Sequence, residues 1–389
     1  MPDRPPSRPE STVSPGQAAP SPEPIARESV SAPASRRQPR ISQQTLTAVV
    51  SSGVFFALTL VLALAPVPYV GWRPGGTVNL AGAGSSGAAA VQVQGLTTTP
   101  LNGELRLTTV SQTRVDSRLG LAEAMYNYAS PYRDVLPRRF IYPPGKSVQQ
   151  VKAEEVALMG TSQSDAVVAA LRAAGQPVKE LPMVTAVTVS GPALNKLLPG
   201  DMILKVDAKA VQTLADVTTA IRAHAVGEPV VFTVDRGGTQ ETVTVTTVPS
   251  PNNPQQPQVG IRVGVGYQYT PKVSYGIDPD IVGPSAGVMF AVAIYDLISP
   301  DDLLAGRKVA GTGEISPSGN VAGIGAIQQK IRGAEKAGAT IFLVPADNCR
   351  DLSGVRTTMQ LIKVGTLREA IGGLQRLKTS PDGQGVPRC

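Results

Sequence analysis

A long uncharged, mostly apolar run, Leu46–Pro68, restricts the architecture of this chain more than any other segment. A helix of about twenty such residues matches the ~30 Å hydrocarbon thickness of a bilayer. Three arginines, Arg36, Arg37 and Arg40, precede the run. Because positive residues favour the cytoplasmic side, they place the N-terminus in the cytoplasm and the rest of the chain outside. The sequence therefore predicts a single-pass plasma-membrane protein with a transmembrane helix over residues 45–68.

The segment before the run differs from it in every respect. Residues 1–44 contain ten prolines, six arginines and four acidic residues, with almost no large apolar side chains. Such a composition predicts a disordered cytoplasmic tail. Tyr69 and Trp72 follow the run and fit an aromatic belt at the outer membrane face. A cleaved signal peptide is the alternative, and the long tail argues against it.

Composition excludes several classes of function. The net charge of +7 is modest and spread along the chain, without a basic cluster that contains aromatic residues, so we expect no nucleic-acid partner. The only histidine, His224, lies in a helical pattern over Leu214–Ala225 and has no serine motif beside it. A Ser-His-Asp triad and a two-histidine zinc site are therefore improbable, and we predict no metal.

A serine begins an apolar helical pattern in the last third of the chain. Gly283 and Pro284 precede Ser285, and the apolar run that follows predicts a helix over Pro284–Ile298. Proline is tolerated in a first helical turn, where backbone N–H groups are free and the helix dipole is positive. Ser285 would then lie among donors suited to an oxyanion. The alternative is an N-capping serine without chemistry.

A lysine is the candidate base for this serine. Lys330 begins a second helical pattern and follows the apolar, small-residue segment Val321–Ile327. The pKa of a free lysine is near ~10.4, and burial would lower it towards neutrality. No acidic residue lies between Asn320 and Gly333 to hold the ammonium charged. Taken alone, such a lysine is more often a solvated surface charge.

Together, three motifs closely resemble the proteolytic domain of the Lon proteases, which use a Ser–Lys dyad. They are Gly283-Pro284-Ser285-Ala286-Gly287, Gly311-Thr312-Gly313-Glu314-Ile315 and Gly325–Lys330. The resemblance implies that Ser285 is the nucleophile and Lys330 the general base. It further implies that the Thr312 hydroxyl helps to orient the lysine, with Gly283 and Pro284 in support.

The resemblance covers only the last third of the chain. No Walker A pattern occurs, so the sequence lacks the ATPase module of the Lon proteases, and we expect no cofactor. Lon-type domains commonly form rings, which makes a homo-oligomer an expectation here. The implied partners are protein or peptide substrates and the membrane, through its single helix.

The segment Met183–Val248 resembles a PDZ domain. It contains a Ser-Gly-Pro-Ala motif, a Pro199-Gly200-Asp201 turn before a strand, and the helical pattern Leu214–Ala225. Such a domain binds an extended peptide as an added strand. We expect the groove between the first strand and this helix, lined by Met183, Val184, Val187, Val217 and Ile221. A small β-rich spacer is the alternative.

These observations predict an α+β protein with a β-rich juxtamembrane region. The predicted parts are the tail, 1–44; the transmembrane helix, 45–68; an α/β scaffold, 73–178; the PDZ domain, 179–248; a Pro-rich linker, 249–257; the Lon-type protease domain, 258–378; and a terminal tail, 379–389. Outside the membrane, Cys349 and Cys389 are expected to form a disulfide, with two free thiols as the alternative.

The leading hypothesis for function is an ATP-independent, membrane-anchored serine endopeptidase. It would cleave flexible or unfolded protein segments outside the cytoplasm, with the PDZ domain selecting or positioning the substrate. The rival hypothesis is a catalytically silent PDZ adaptor at the membrane surface. The presence of Ser285, Thr312 and Lys330 together favours the enzyme.

Overall fold

The computed structural model describes residues 42–85 and 87–389. The predicted disordered tail over residues 1–44 therefore lies outside the described residues, except for its last three. The first described element is a helix, α1, over Gln43–Leu64. It begins two residues before the start of the predicted span, 45–68, and ends four residues before the end of that span.

Helix α1 is long and apolar enough to cross a membrane, by length and composition alone. Its mean hydropathy reaches 2.2 over its most apolar window, and none of its residues is buried within the protein. A helix that is apolar on all sides requires an apolar environment around it. A signal sequence near the N-terminus would meet the same criterion.

The described residues form an α+β protein. Its helices are α1, α2 Leu121–Ala129, α3 Arg138–Ile141, α4 Val148–Ala173, α5 Leu214–Arg222, α6 Gly287–Ile298, α7 Ile327–Lys336 and α8 Leu367–Thr379, with a 3₁₀ helix over Ala346–Leu352. Its strands are β1 Pro66–Val67, β2 Tyr69–Asn79, β3 Val91–Gln94, β4 Glu104–Gln112, β5 Leu119–Gly120, β6 Asp134–Pro137, β7 Lys179–Val187, β8 Met202–Val206, β9 Lys209–Ala210, β10 Pro229–Arg236, β11 Thr239–Thr246, β12 Val248–Ser250, β13 Asn253–Gln258, β14 Ile261–Gln268, β15 Lys272–Tyr275, β16 Lys308–Gly311, β17 Glu314–Ile315, β18 Val321–Ala322, β19 Ile341–Pro345 and β20 Gln360–Val364.

A six-stranded sheet in the order β20-β19-β16-β4-β2-β6 carries the candidate site. Strands β20, β19, β16 and β4 are parallel, and β2 and β6 complete the sheet with antiparallel pairing. Strand β4 covers the edge of β16, whose N–H and C=O groups would otherwise be unpaired. The sheet therefore crosses the predicted division between a scaffold over 73–178 and a protease domain over 258–378.

A second sheet, in the order β11-β10-β8-β7-β14, lies between the two halves of the first in sequence, with β9 paired to β8. Its last strand, β14, pairs along β7 from Ile261 opposite Val187 to Gln268 opposite Lys179. The sequence analysis assigned this strand to the protease domain, and the pairing corrects that assignment. The Pro-rich linker predicted over 249–257 contains most of a β12–β13 hairpin.

Helix α4 joins the two sheets along the chain. It is a single helix of 26 residues, begun by a capping box between Ser147 and Gln150. Its buried segment, Ala166–Leu171, shares a core with helix α6, whose residues Val288–Ile294 are completely buried. Because α6 has apolar residues on all sides, it must be packed against other elements on all sides, and α4 supplies part of that packing.

The end of the chain is fixed beside the first sheet. Cys349 and Cys389 form a disulfide with a Cα–Cα distance of 5.1 Å, as the sequence analysis expected. The backbone N–H of Lys363 on β20 donates to the carbonyl of Pro387. Among the residues that the structure describes, no group of three or more His, Cys, Asp or Glu side chains could hold a metal ion.

Candidate active site

Ser285 lies in the turn before helix α6. The helix begins at Gly287, three residues later than predicted, so Ser285 precedes the first helical turn. Gly283 has a φ of +95°, which favours glycine, and its N–H donates to the carbonyl of Glu155 at 3.2 Å. The buried hydroxyl of Ser162 donates to the carbonyl of Pro284 at 2.8 Å. Helix α4 therefore holds the turn at two successive residues.

The same turn presents free donors. The N–H groups of Ser285 and Ala286 have no hydrogen-bond partner among the described residues, whereas the next N–H, of Gly287, donates to Pro284. The positive end of the α6 dipole lies beside them. An oxygen that becomes negatively charged next to the Ser285 hydroxyl would find donors there.

Lys330 lies in the first turn of helix α7 and reaches the serine. Its Nζ lies 2.7 Å from Ser285 Oγ and 2.9 Å from Thr312 Oγ1, and the residue is only 3% exposed. Burial lowers the pKa of Lys330 to about 8, partly opposed by the negative charge of Glu314. About a tenth of the amine is therefore neutral at pH 7.

Thr312 fixes how the lysine amine is directed. Its hydroxyl donates to the Ser285 carbonyl at 2.9 Å, and the N–H of Gly313 donates to the same carbonyl at 2.8 Å. Because its only hydroxyl proton is used there, Thr312 Oγ1 must accept an N–H from Lys330. The lone pair of a neutral Lys330 amine is then free to face Ser285 Oγ.

A cavity of about 650 Å³ opens onto Ser285 and Lys330. Helix α4 and strands β2 and β4 contribute much of its wall, which includes the apolar side chains of Val78, Leu107 and Met159. Glu155 also lines it. Its carboxyl makes no ion pair or hydrogen bond with any described residue, and burial raises its pKa.

Two features of this site were not found from the sequence. Ser162 and Glu155 lie on a helix that the sequence analysis assigned to a scaffold without chemistry, far from the serine motif along the chain. Their residue types are ordinary for a helix surface. Only the packing of α4 against the turn before α6 brings them to the site.

The predicted peptide groove is not formed. Val184 and Val217 are completely buried in the core of the second sheet, and Ile221 is 9% exposed, whereas Met183 and Val187 are partly buried. Strand β7 is not an edge, because β14 pairs along it and Val184 exchanges backbone hydrogen bonds with residues 200–201. No strand among the described residues pairs with the other edge of β14, and helix α5 contacts β14.

Comparison with known proteins agrees with both halves of the fold. Residues 273–373 match the model of the Lon protease (S16) C-terminal proteolytic domain, and residues 163–247 match the PDZ domain. The chain carries a Lon-type proteolytic domain and a PDZ domain. No ATPase domain model matches it.

Curated proteins similar to this chain include Lon proteases. Lon protease 1 of Sorangium cellulosum is 41% identical over 101 residues, which cover 25% of this chain and 12% of the relative. Lon protease of Citrifermentans bemidjiense is 40% identical over 91 residues, covering 22% and 11%. The match therefore spans only about an eighth of the length of these relatives.

The solved PDZ domain of an SdrC-like protein from Listeria monocytogenes is 23% identical and covers 21% of this chain and 85% of that one. Its TM-score is 0.20, so the family model, and not this likeness, identifies the domain.

Proposed function

We propose that this chain is an ATP-independent serine endopeptidase, anchored in the plasma membrane by α1, that cleaves flexible or unfolded protein segments outside the cytoplasm. One observation supports this most strongly. A buried lysine with its pKa lowered to about 8 lies 2.7 Å from a serine hydroxyl. Such a lysine can be neutral at physiological pH and take the proton that makes serine a nucleophile.

The first half of the reaction forms an acyl-enzyme. The neutral amine of Lys330 takes the proton of Ser285 Oγ, which attacks the carbonyl carbon of the scissile peptide. The oxygen of that carbonyl becomes negative and accepts from the free N–H groups of Ser285 and Ala286. Lys330 then gives its proton to the leaving amine as the C–N bond breaks, and the first product departs.

The second half returns the enzyme to its starting state. Water gives a proton to the neutral Lys330 amine and attacks the ester carbonyl. The tetrahedral intermediate uses the same two backbone donors, and Lys330 protonates Ser285 Oγ as the ester bond breaks. Thr312 Oγ1 accepts a hydrogen bond from the Lys330 amine and thereby holds that amine in the required orientation through both halves of the reaction.

The proteolytic unit, in this proposal, comprises the first sheet with α4, α6 and α7, and the PDZ unit is inserted between α4 and β15. A substrate peptide would add as a strand to the free edge of β14. The match to a Lon proteolytic domain without an ATPase domain supports substrates that are already flexible. A homo-oligomeric ring stays a prediction.

The test uses the full chain and an unfolded protein substrate without ATP. We expect cleavage by the wild type and by Lys336→Ala, an exposed lysine on the same helix as Lys330. Ser285→Ala and Lys330→Ala should each lose at least about a hundredfold in kcat/KM. Below pH 8 the rate should rise about tenfold per pH unit and then level off, because only the neutral amine is active.

Two outcomes would contradict the proposal. Equal cleavage by wild type, Ser285→Ala and Lys330→Ala would exclude the dyad. A wild type that binds peptides at β14 but cleaves none of them, with or without ATP, would favour the adaptor.

A further inference from the structure

The segment that follows α1 is joined to the start of helix α2 by backbone hydrogen bonds. Strand β1 begins two residues after α1 and pairs with β5, with Pro66 opposite Gly120. The N–H of Leu121, the first residue of α2, donates to the carbonyl of Ala65 at 2.9 Å. Paired strands lie ~4.8 Å apart, so α2 begins one strand spacing from the point where the chain leaves α1.

Helix α3 is tied to the same place. The N–H of Arg138, its first residue, donates to the carbonyl of Pro68 at 2.9 Å, and Pro137 pairs with Tyr69. Both short helices therefore lie beside the first few residues after α1, whatever the direction in which α1 itself runs.

These two helices expose large apolar and aromatic side chains. On α2, Ala124 and Asn127 are buried, whereas Met125 is 64%, Tyr126 60% and Tyr128 85% exposed. On α3, Phe140 is 69% exposed. We call Met125, Tyr126, Tyr128 and Phe140 the interfacial patch. Tyrosine and phenylalanine at such exposure are typical of surfaces that contact a partner or a membrane.

The surroundings of the patch are basic. Residues 118–142 hold four arginines and two acidic residues, together with four of the nine tyrosines of the chain. Arg133 lies over the ring of Tyr126 at 4.9 Å, and Arg139 over the ring of Phe140 at 5.2 Å. Arginine beside amphipathic aromatic side chains suits the boundary between acyl chains and phosphate headgroups.

We propose that the interfacial patch lies on the membrane into which α1 inserts and contacts its anionic phospholipid headgroups. The inference rests on the anchoring part of the proposed function. An anchored chain holds α2 and α3 at the headgroup level, where the local concentration of lipid exceeds that of any other partner. The contact fixes the proteolytic unit at the bilayer surface, because β6, between α2 and α3, is an edge strand of its sheet.

The test places a fluorescent label at one introduced cysteine in the full chain, where Cys349 and Cys389 are already paired. Tyr128→Cys reports on the patch, and Val189→Cys, 83% exposed beyond β7, is the matched control. Both proteins are reconstituted in vesicles of mixed zwitterionic and anionic phospholipid that carry a nitroxide at the headgroup level. Because an interfacial surface penetrates ~5–10 Å, we expect at least about twofold more quenching at 128 than at 189.

A second variant tests the charge. Arg139→Glu in the Tyr128→Cys protein should reduce the quenching in anionic vesicles and leave it unchanged in purely zwitterionic ones. Equal quenching at 128 and 189 in a chain that floats with the vesicles would overturn the inference and leave the anchor intact. Chemical cross-links between copies through position 128, without quenching, would assign the patch to a second copy instead. A chain that does not float with the vesicles would overturn both the anchor and the patch.

Discussion

The backbone of the Ser285 turn and the backbone along the free edge of strand β14 differ in how their N–H and C=O groups are bonded. In the turn, Gly283, Pro284 and Ser285 all have their backbone N–H or C=O bonded to fixed partners from α4 and the β16–β17 segment. Along the outer edge of β14, no strand of the described chain supplies such partners. Apart from the free N–H groups of Ser285 and Ala286, the backbone supports of the turn are in place before substrate arrives, whereas the outer edge of β14 is open to an added strand.

The difference follows from what each region has to do. Chemistry needs a nucleophile, a base and oxyanion donors fixed within a fraction of an ångström, which requires bonded and buried supports. Recognition of many sequences needs unpaired backbone groups that a partner can complete. We therefore expect changes in the turn to alter kcat, and changes near β14 to alter KM.

The largest effect should come from Lys330→Met. We expect a loss of about a hundredfold or more in kcat, because the base is removed. The folded protein should nevertheless become more stable at pH 7. The pKa of Lys330 falls from 10.5 to about 8 on folding, so the buried amine costs up to about 3 kcal/mol.

The stability gained by Lys330→Met should depend on pH, because it equals the cost of burying the charged amine. The cost is fully present below pH 8 and decreases between pH 8 and 10.5. It is absent above pH 10.5, because the amine is then neutral in both the folded and the unfolded state. Denaturant unfolding of both proteins across this range measures it. If Lys330→Met were no more stable than the wild type at pH 7, burial of the charged amine would not lower the free energy of unfolding.

Ser162→Ala should give the next largest effect and test whether α4 positions the nucleophile. The change leaves the Pro284 carbonyl without its buried donor, which costs about 1–3 kcal/mol. We expect kcat to fall about tenfold with KM and the pH midpoint unchanged. Ser164→Ala, an exposed serine on the same helix, is the control.

Reaction with a serine-directed fluorophosphonate separates positioning from folding. If Ser162 positions the turn, Ser162→Ala reacts more slowly but to the same final extent. A reduced extent with an unchanged rate would mean that the variant merely loses folded protein.

Two residues of α5 should separate the buried core from the open edge. Val217 is completely buried, so Val217→Ala should destabilise the PDZ unit by about 2 kcal/mol. Leu214, on the same helix, is 37% exposed, so Leu214→Ala should leave the stability almost unchanged and raise KM a few-fold for substrates that dock at β14. Thermal unfolding and peptide kinetics measure the two effects. A raised KM for Val217→Ala without destabilisation would favour the groove first predicted beside β7.

The smallest effect is expected at Glu155, which lines the cavity beside Ser285. Its unpaired carboxylate should favour a basic side chain next to the scissile bond by a few-fold, as a partly exposed ion pair does. Glu155→Gln should remove the preference between matched lysine and norleucine peptides, whereas Glu154→Gln, ion-paired to Lys146 outside the cavity, should not. Because burial raises the pKa of Glu155, the wild-type preference should fade as acid protonates the carboxyl. An unchanged preference in Glu155→Gln would exclude the contact.

The sequence by itself determined the elements and residues whose character is local. A long uncharged run predicts α1, and the serine and lysine motifs predict the two helix starts at which Ser285 and Lys330 lie. The only histidine, His224, lies in a helical pattern without a serine motif beside it, which makes the usual histidine base improbable. These inferences hold because side-chain chemistry and periodicity act within a few turns of chain.

Tertiary structure decided what joins distant parts of the chain. The pairing of β4 with β16 places β2, β4 and β6 in the same sheet as the strands of the predicted protease domain. The pairing of β14 with β7 moves the free edge away from the predicted groove. The packing of α4 against the turn before α6 brings Ser162 and Glu155 to the site. An apolar strand pattern indicates that a strand is buried but does not identify the strand that pairs with it. Many strands can form equally good backbone hydrogen bonds with the same N–H and C=O groups.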